Sequence, residues 1–252
     1  GALVSVGAQA CGVEVGILAA FGYVLAGAGA ALLPDGDHDK SVMYTSGGPV
    51  LAWFFEALQA LSRWTYRRTR RAHDYRSDGE HRYLMHSVPF AALVGLLVGA
   101  LGSLPWVGPV VLCVLLSPAI RSLAMEIHYN TRFRVGYMAR NRFGAFCLSV
   151  AATALIAYFG GPHVFGPLLG VVVFVGMLTH NFGDSLSNSG IPWKALIPHR
   201  CDRCRARRPK PAAKCAMWDR SHLAPAFMRF NVGSKRGNRI ELNFPKTALP
   251  DE

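Results

Sequence analysis

Runs of apolar and small residues alternate along this chain with polar, mostly basic connections. Five apolar segments stand out, at residues 12–33, 88–102, 107–123, 143–160 and 164–179. The first carries one early acid, Glu14, and reads GILAAFGYVLAGAGAALL from Gly16 to Leu33 without a charge. The second and third are separated only by SLPW, the fourth and fifth only by GPH. A helix needs about 20 apolar residues to cross the hydrocarbon core, with about 17 as a lower limit. The pattern therefore predicts membrane helices, some of marginal length, with each closely spaced pair forming a tight hairpin. Buried helices of a soluble all-α protein fit less well, because five nearly uncharged runs are too many for one such core.

The expected fold is an all-α polytopic membrane bundle of about five membrane helices. Residues 1–193 form the membrane domain, and residues 194–252 form a basic cytoplasmic tail. Charge gives the bundle a direction. The connection at residues 61–82 holds seven arginines, and the stretch 121–142, from the end of the third segment to the start of the fourth, holds Arg121, Arg132, Arg134, Arg140 and Arg142. The N-terminal residues and the SLPW and GPH turns hold no Lys or Arg. The positive-inside rule then places every basic connection in the cytoplasm, with the N-terminus out and the C-terminus in. The first residues also lack the charged n-region of a cleavable signal peptide.

Composition agrees with this reading. Hydrophobic residues make up 51% of the chain and charged residues 17%, while the formal net charge is +12. Apolar blocks separated by basic blocks suit a multi-pass membrane protein better than a nucleic-acid binder. Of the six cysteines, Cys11, Cys113 and Cys147 lie in apolar stretches and read as buried structural thiols.

The chemistry collects at the ends of the segments. The first runs straight into LLPDGDHDKS, with Asp35, Asp37, His38 and Asp39. His81 and His86, in EHRYLMHS, precede the second segment, and His180 and Asp184, in THNFGDSLSNSG, close the fifth. The predicted topology brings all three stretches to the cytoplasmic face. His180 and Asp184 are four apart and share a helix face, so they can grip one ion. Asp35 and Asp37 flank a glycine after a proline, in a turn able to present both carboxylates. His81 and His86, five apart, suit a loop and the first turn of the following helix. Histidine nitrogen with carboxylate oxygen favours a divalent metal, zinc first, with manganese or iron as alternatives, over calcium. An unliganded carboxylate, Asp37 or Asp39, is the expected general base toward water. Ser87, Ser185 and Asn188 are expected to hydrogen-bond the ligands. Glu126 and His128 end the third segment and read mainly as interface residues. No Gly-x-Ser-x-Gly elbow occurs, which argues against a serine nucleophile.

LLPDGDHDKS, then HRYLMHS, then GMLTHNFGDSLSNSGIP resemble, in order, the signature blocks of the YdjM-like family of inner-membrane proteins, which are classed as metal-dependent hydrolases. RFNVGSKRGNRIEL is similar to that family's C-terminal segment, and the arginine-rich residues 63–82 resemble actinobacterial and phage-borne members. The resemblance implies ligand roles for Asp35, Asp37, His38, His81, His86, His180 and Asp184. It also implies a distant relation to all-α zinc phospholipase C and P1-type nucleases, which act on phosphoesters. Two positions depart from the family pattern. Gln9 stands where members carry an N-terminal histidine, and Met85 stands where they carry a threonine.

The tail holds Cys201, Cys204 and Cys215, with His199 or His222 as a fourth ligand for a small zinc knuckle. Its arginines and lysines are expected to sit against anionic headgroups, so membrane lipid is an expected partner. Nucleic acid is disfavoured as a partner, since no interleaved aromatic platform accompanies the charge. Two functions follow as expectations. One is metal-dependent hydrolysis of a phosphoester, soluble or lipid-derived, at the cytoplasmic face. The alternative is a non-catalytic membrane protein with a structural metal site, binding lipid, protein or nucleic acid through its basic loops. A transporter fits less well, because the ionisable residues lie at the membrane edge.

Overall fold

The computed structural model describes residues 2–10, 12, 15–69, 83–130, 137–160, 164–185, 229–230 and 242–243. Within them the chain forms nine helices: α1 (Ala2–Ala10), α2 (Ile17–Ala31), α3 (Val42–Ser46), α4 (Gly48–Thr69), α5 (Val88–Leu101), α6 (Val107–Asn130), α7 (Tyr137–Arg140), α8 (Arg142–Gly160) and α9 (Pro167–Ser185). A 3₁₀ turn, Pro34–Asp37, follows α2. Two short strands, β1 (Arg229–Phe230) and β2 (Leu242–Asn243), pair antiparallel within the segment RFNVGSKRGNRIELN. They add a small hairpin to a fold that is otherwise the expected all-α bundle. His81, Cys201, Cys204, Cys215, His199, His222 and Asn188 lie outside the described residues.

Four helices are long and apolar enough to cross a membrane: Ile17–Asp37, counting the 3₁₀ turn, Val107–Tyr129, Arg142–Gly160 and Pro167–Asp184. The fifth expected span, α5, has 14 residues. At 1.5 Å per residue it covers about 21 Å, less than the ~30 Å hydrocarbon core. The expected bundle of about five membrane helices is thus four long helices and one short one, in keeping with the marginal length expected of some segments.

Neighbours along the bundle fix the directions. Gly22 of α2 lies against Ile156 of α8, and Gly29 lies against Leu115 of α6. On α5, Gly95 lies against Phe174 of α9, and Gly99 against Pro167 and Gly170. So α2, α6 and α9 run one way and α5 and α8 the other, as alternating spans require. Gly95 and Gly99 form a Gly-x-x-x-Gly pair, and a side chain at Gly95 would stand 2.8 Å from Phe174 Cβ. In lipid, helix association comes from such close backbone contact rather than from apolar burial. That contact draws the start of α5 toward the end of α9, where the site lies.

Large apolar side chains cover the outside, including Ile17, Phe21, Leu96, Leu97 and Leu155, as a lipid-facing surface demands. Exposed aromatics mark both ends of α6, with Trp106 just before it and Tyr129 near its close. The 23-residue apolar stretch Val107–Tyr129 corresponds to about 34 Å of helix, close to one bilayer core.

α4 was not among the expected elements. The uncharged start of α4 ends at Phe55, and Glu56, Arg63, Arg67 and Arg68 then interrupt the apolar residues, so no span-length uncharged run announces it. Its helical stripe turns Phe55, Gln59, Ser62 and Tyr66 toward the end of the bundle. There Gln59 Nε2 donates to the Asp37 carbonyl at 2.9 Å, and Leu84 N donates to Ser62 Oγ at 3.3 Å. The Tyr66 and Tyr83 rings meet edge to face with centroids 5.0 Å apart. The opposite face leaves Trp53, Phe54, Leu61 and Trp64 exposed.

Candidate metal centre

Three chain segments meet at one end of the bundle. Pro34 opens the turn after α2: it lacks an N–H and pre-sets the backbone for a new helical turn. Gly36 in that turn lies so close to the Phe55 ring that a Cβ would overlap it. In a 3₁₀ turn, residues two apart point to different sides. Asp35 and Asp37 therefore do not present their carboxylates side by side. Asp35 stays 39% exposed, while the Asp37 side chain is 1% exposed.

The second segment, 83–87, is held by α4 and by a helix cap. Ser87 Oγ accepts from Phe90 N at 3.3 Å and donates to the Leu84 carbonyl at 2.7 Å. The hydroxyl expected to touch a ligand is thus a cap for α5. His86 immediately precedes that cap, outside the helix rather than in its first turn, and is fully buried. Met85 beside it is buried as well.

The third segment is the last turn of α9, where His180 and Asp184 share a face at i and i+4 as expected.

Asp35, His86 and His180 each direct one ligand atom into a common space, all within 4.8 Å of one another. His180 Nε2 lies 3.5 Å from Asp35 Oδ1, and His86 Nε2 lies 4.0 Å from the same oxygen. Asp184 Oδ2 is 3.4 Å from His86 Nε2 and 3.6 Å from His180 Nε2. The two imidazole rings are 5.3 Å apart, centre to centre. Bonds of about 2.0–2.2 Å to a tetrahedral ion put neighbouring ligands about 3.3–3.6 Å apart. Three of these four separations fall in that range, and the fourth is a few tenths of an ångström wider. The donor set, nitrogen and carboxylate oxygen without sulfur, fits a divalent transition metal.

Asp37 occupies a different place. Its Oδ2 is 3.6 Å from His86 Nδ1, on the far side of the ring from the cluster. His38 is half exposed; its Nδ1 accepts from Lys40 N at 3.2 Å and lies 3.5 Å from Asp39 Oδ1. Asp39 is exposed. Among the described residues, then, Asp35, His86 and His180 converge with Asp184 beside them. Asp37 stands behind His86, and His38 and Asp39 belong to the following turn. Gln9, where the resemblance led us to expect a histidine, donates to the Val15 carbonyl. Val15 precedes α2 and Asp35 follows it, so Gln9 lies at the opposite end of that helix.

Sequence reasoning missed Asn181. It is fully buried on α9 between His180 and Asp184, and among the described residues neither of its amide atoms has a hydrogen-bond partner. Its position one residue past a candidate ligand was the available signal. Near the turn, Tyr44 Oη lies 3.0 Å from Glu56 Oε1, and that hydrogen bond raises the phenol above its ordinary range.

A family model described as YdjM inner membrane protein matches residues 2–138 of the 252. The matched portion includes Asp35 and His86, while His180 and Asp184 follow it. No curated protein and no solved structure matches the chain.

Proposed function

For this chain, which belongs to the YdjM inner membrane protein family, we propose metal-dependent hydrolysis of a phosphoester at the cytoplasmic face of the membrane. The observation that carries the reading is the convergence of Asp35, His86 and His180 from three separate segments at one end of an apolar helix bundle. Asp184 supplies the fourth ligand, from its place against both imidazoles. A divalent ion held there supplies a Lewis acid for a phosphoryl oxygen and acidifies water.

The protein's own residues set the geometry. Asp37 Oδ2, 3.6 Å from His86 Nδ1, is placed to favour a proton on that nitrogen, which would leave Nε2 to a metal. We read Asp37 as orienting His86, in place of the ligand or base role expected from the sequence. Asp39 is exposed beside His38, and Asp184 lies within 3.6 Å of both imidazoles. The Asn181 amide, buried next to the cluster, needs a polar partner, which an ordered water or a substrate oxygen provides.

A structural metal site would enclose its ligands, whereas a catalytic one keeps an open position. The gradient from buried His86 to Asp35, 39% exposed, supports an opening on the Asp35 side. The orientation follows from charge. Arg67, Arg68, Arg121, Arg140 and Arg142 lie at the site end of the bundle, and the Ser103–Trp106 turn at the other end has no basic residue. The positive-inside rule then puts the site in the cytoplasm.

The test is phosphoester turnover by detergent-purified protein loaded with zinc or manganese, set against His180→Ala and Asp35→Ala. The proposal predicts metal-dependent turnover that both substitutions abolish. Turnover that persists in both rejects this cluster as its source, and none across monoester, diester and phospholipid substrates rejects hydrolysis and leaves the structural-metal reading.

A further inference from the structure

A second feature at the same end of the bundle is separate from the metal cluster. A cleft of about 410 Å³ lies between the α3–α4 turn, the middle of α6 and the start of α8. That volume falls within the roughly 300–1,000 Å³ of small-molecule sites. Its walls are mostly apolar: Val50 and Leu51 on one side, Phe143 and Phe146 on the other. Val50, Phe143 and Phe146 are exposed, so the cleft opens toward the surface that faces lipid.

Two polar features break that apolar lining. Ser117 is 3% exposed, and among the described residues its hydroxyl has no hydrogen-bond partner. The next residue, Pro118, stands inside α6 and cannot donate to the Val114 carbonyl one turn back. Membrane helices normally satisfy groups freed by proline through neighbouring side chains or ordered polar partners. Here Ser117, Pro118 and Val114 all line the cleft, so a ligand in it meets a hydroxyl that still seeks a partner.

At the rim stands Arg142, exposed at the first turn of α8. Arg121 lies nearby but is engaged, donating to Thr45 Oγ1 at 2.9 Å, Ser46 Oγ at 3.2 Å and the Arg140 carbonyl at 3.3 Å. The cleft lining includes no acidic residue.

We propose that this cleft binds an anionic phospholipid. The phosphate sits at the Arg142 guanidinium, an ester oxygen accepts from Ser117, and an acyl chain lies between Val50 and Phe146. An apolar trough that opens to lipid, with one cation at the headgroup end and one buried hydroxyl below it, matches the order of chemistry along such a molecule. The site does not depend on the metal cluster or on hydrolysis.

Native mass spectrometry of the detergent-purified full chain, titrated with phosphatidylglycerol or phosphatidylethanolamine, tests the assignment. Wild-type protein is expected to retain phosphatidylglycerol in preference to the zwitterionic lipid. Arg142→Gln is expected to weaken that retention about fivefold, and Arg142→Lys to restore most of it. Val50→Trp, which fills the trough, is expected to displace both lipids. Helical content, measured in parallel by circular dichroism, stays at the wild-type level in each variant and shows that the fold is intact. Equal retention of the two lipids, or retention unchanged by both Arg142→Gln and Val50→Trp, overturns the proposal. A dimer that holds no lipid and dissociates on Val50→Trp also overturns it, and assigns the cleft to a second copy of the chain.

Discussion

His86 and Asp37 face each other 3.6 Å apart, Nδ1 to Oδ2, with both side chains buried. The opposite nitrogen of the same ring points at Asp35 and Asp184. One imidazole thus links a carboxylate behind it to the cluster in front.

If Asp37 orients His86, its loss weakens the metal without removing a ligand. Asp37→Asn is expected to lower zinc affinity about 10–100-fold, the usual cost of losing such a partner. His86→Ala removes a ligand and should abolish the site. Competition with a graded series of chelators separates these outcomes. Equal, complete loss in both variants would make Asp37 a ligand instead.

Gly36 leaves no room for a Cβ beneath Phe55. Gly36→Ala should therefore displace the turn that carries Asp35 and destabilise the protein by about 1–3 kcal/mol. Adding Phe55→Leu restores space and should recover part of the loss. Thermal unfolding of the single and double variants in one detergent checks this. Wild-type stability in Gly36→Ala would show that the turn is not packed as described.

Asn181 distinguishes a functional polar group from a structural one. Replacing a buried amide that lacks hydrogen bonds by an apolar residue of similar size is near neutral or stabilising. Asn181→Leu is expected to keep its metal content and to melt at or above the wild-type temperature, while phosphoester turnover falls. A large drop in stability would mean that the amide is bonded within the fold.

Much of this arrangement is visible in the sequence. The uncharged runs mark α2, α5, α6, α8 and α9, because lipid selects for apolar side chains regardless of neighbours. The His180–Asp184 spacing marks a shared face, because helical periodicity is local. The 3₁₀ turn is less legible: PDGD shows two carboxylates near one another, but only the fold shows that they reach opposite nitrogens of His86. α4 escaped notice for another reason. It is amphipathic rather than uniformly apolar, so a search for long uncharged runs passes over it. Asn181 resembles any polar residue at a helix end until its burial is known. The Cys201–Cys215 stretch lies outside the described residues, and its zinc knuckle stays an expectation from spacing alone.

The central claim is that three separate segments build one metal site. Metal analysis of detergent-purified protein, by inductively coupled plasma mass spectrometry, tests it most directly. The account predicts about one divalent ion per chain in wild type, lost in each of Asp35→Ala, His86→Ala and His180→Ala while the variants keep their helical content. The same metal content in wild type and all three variants, or none in wild type after zinc loading, contradicts it.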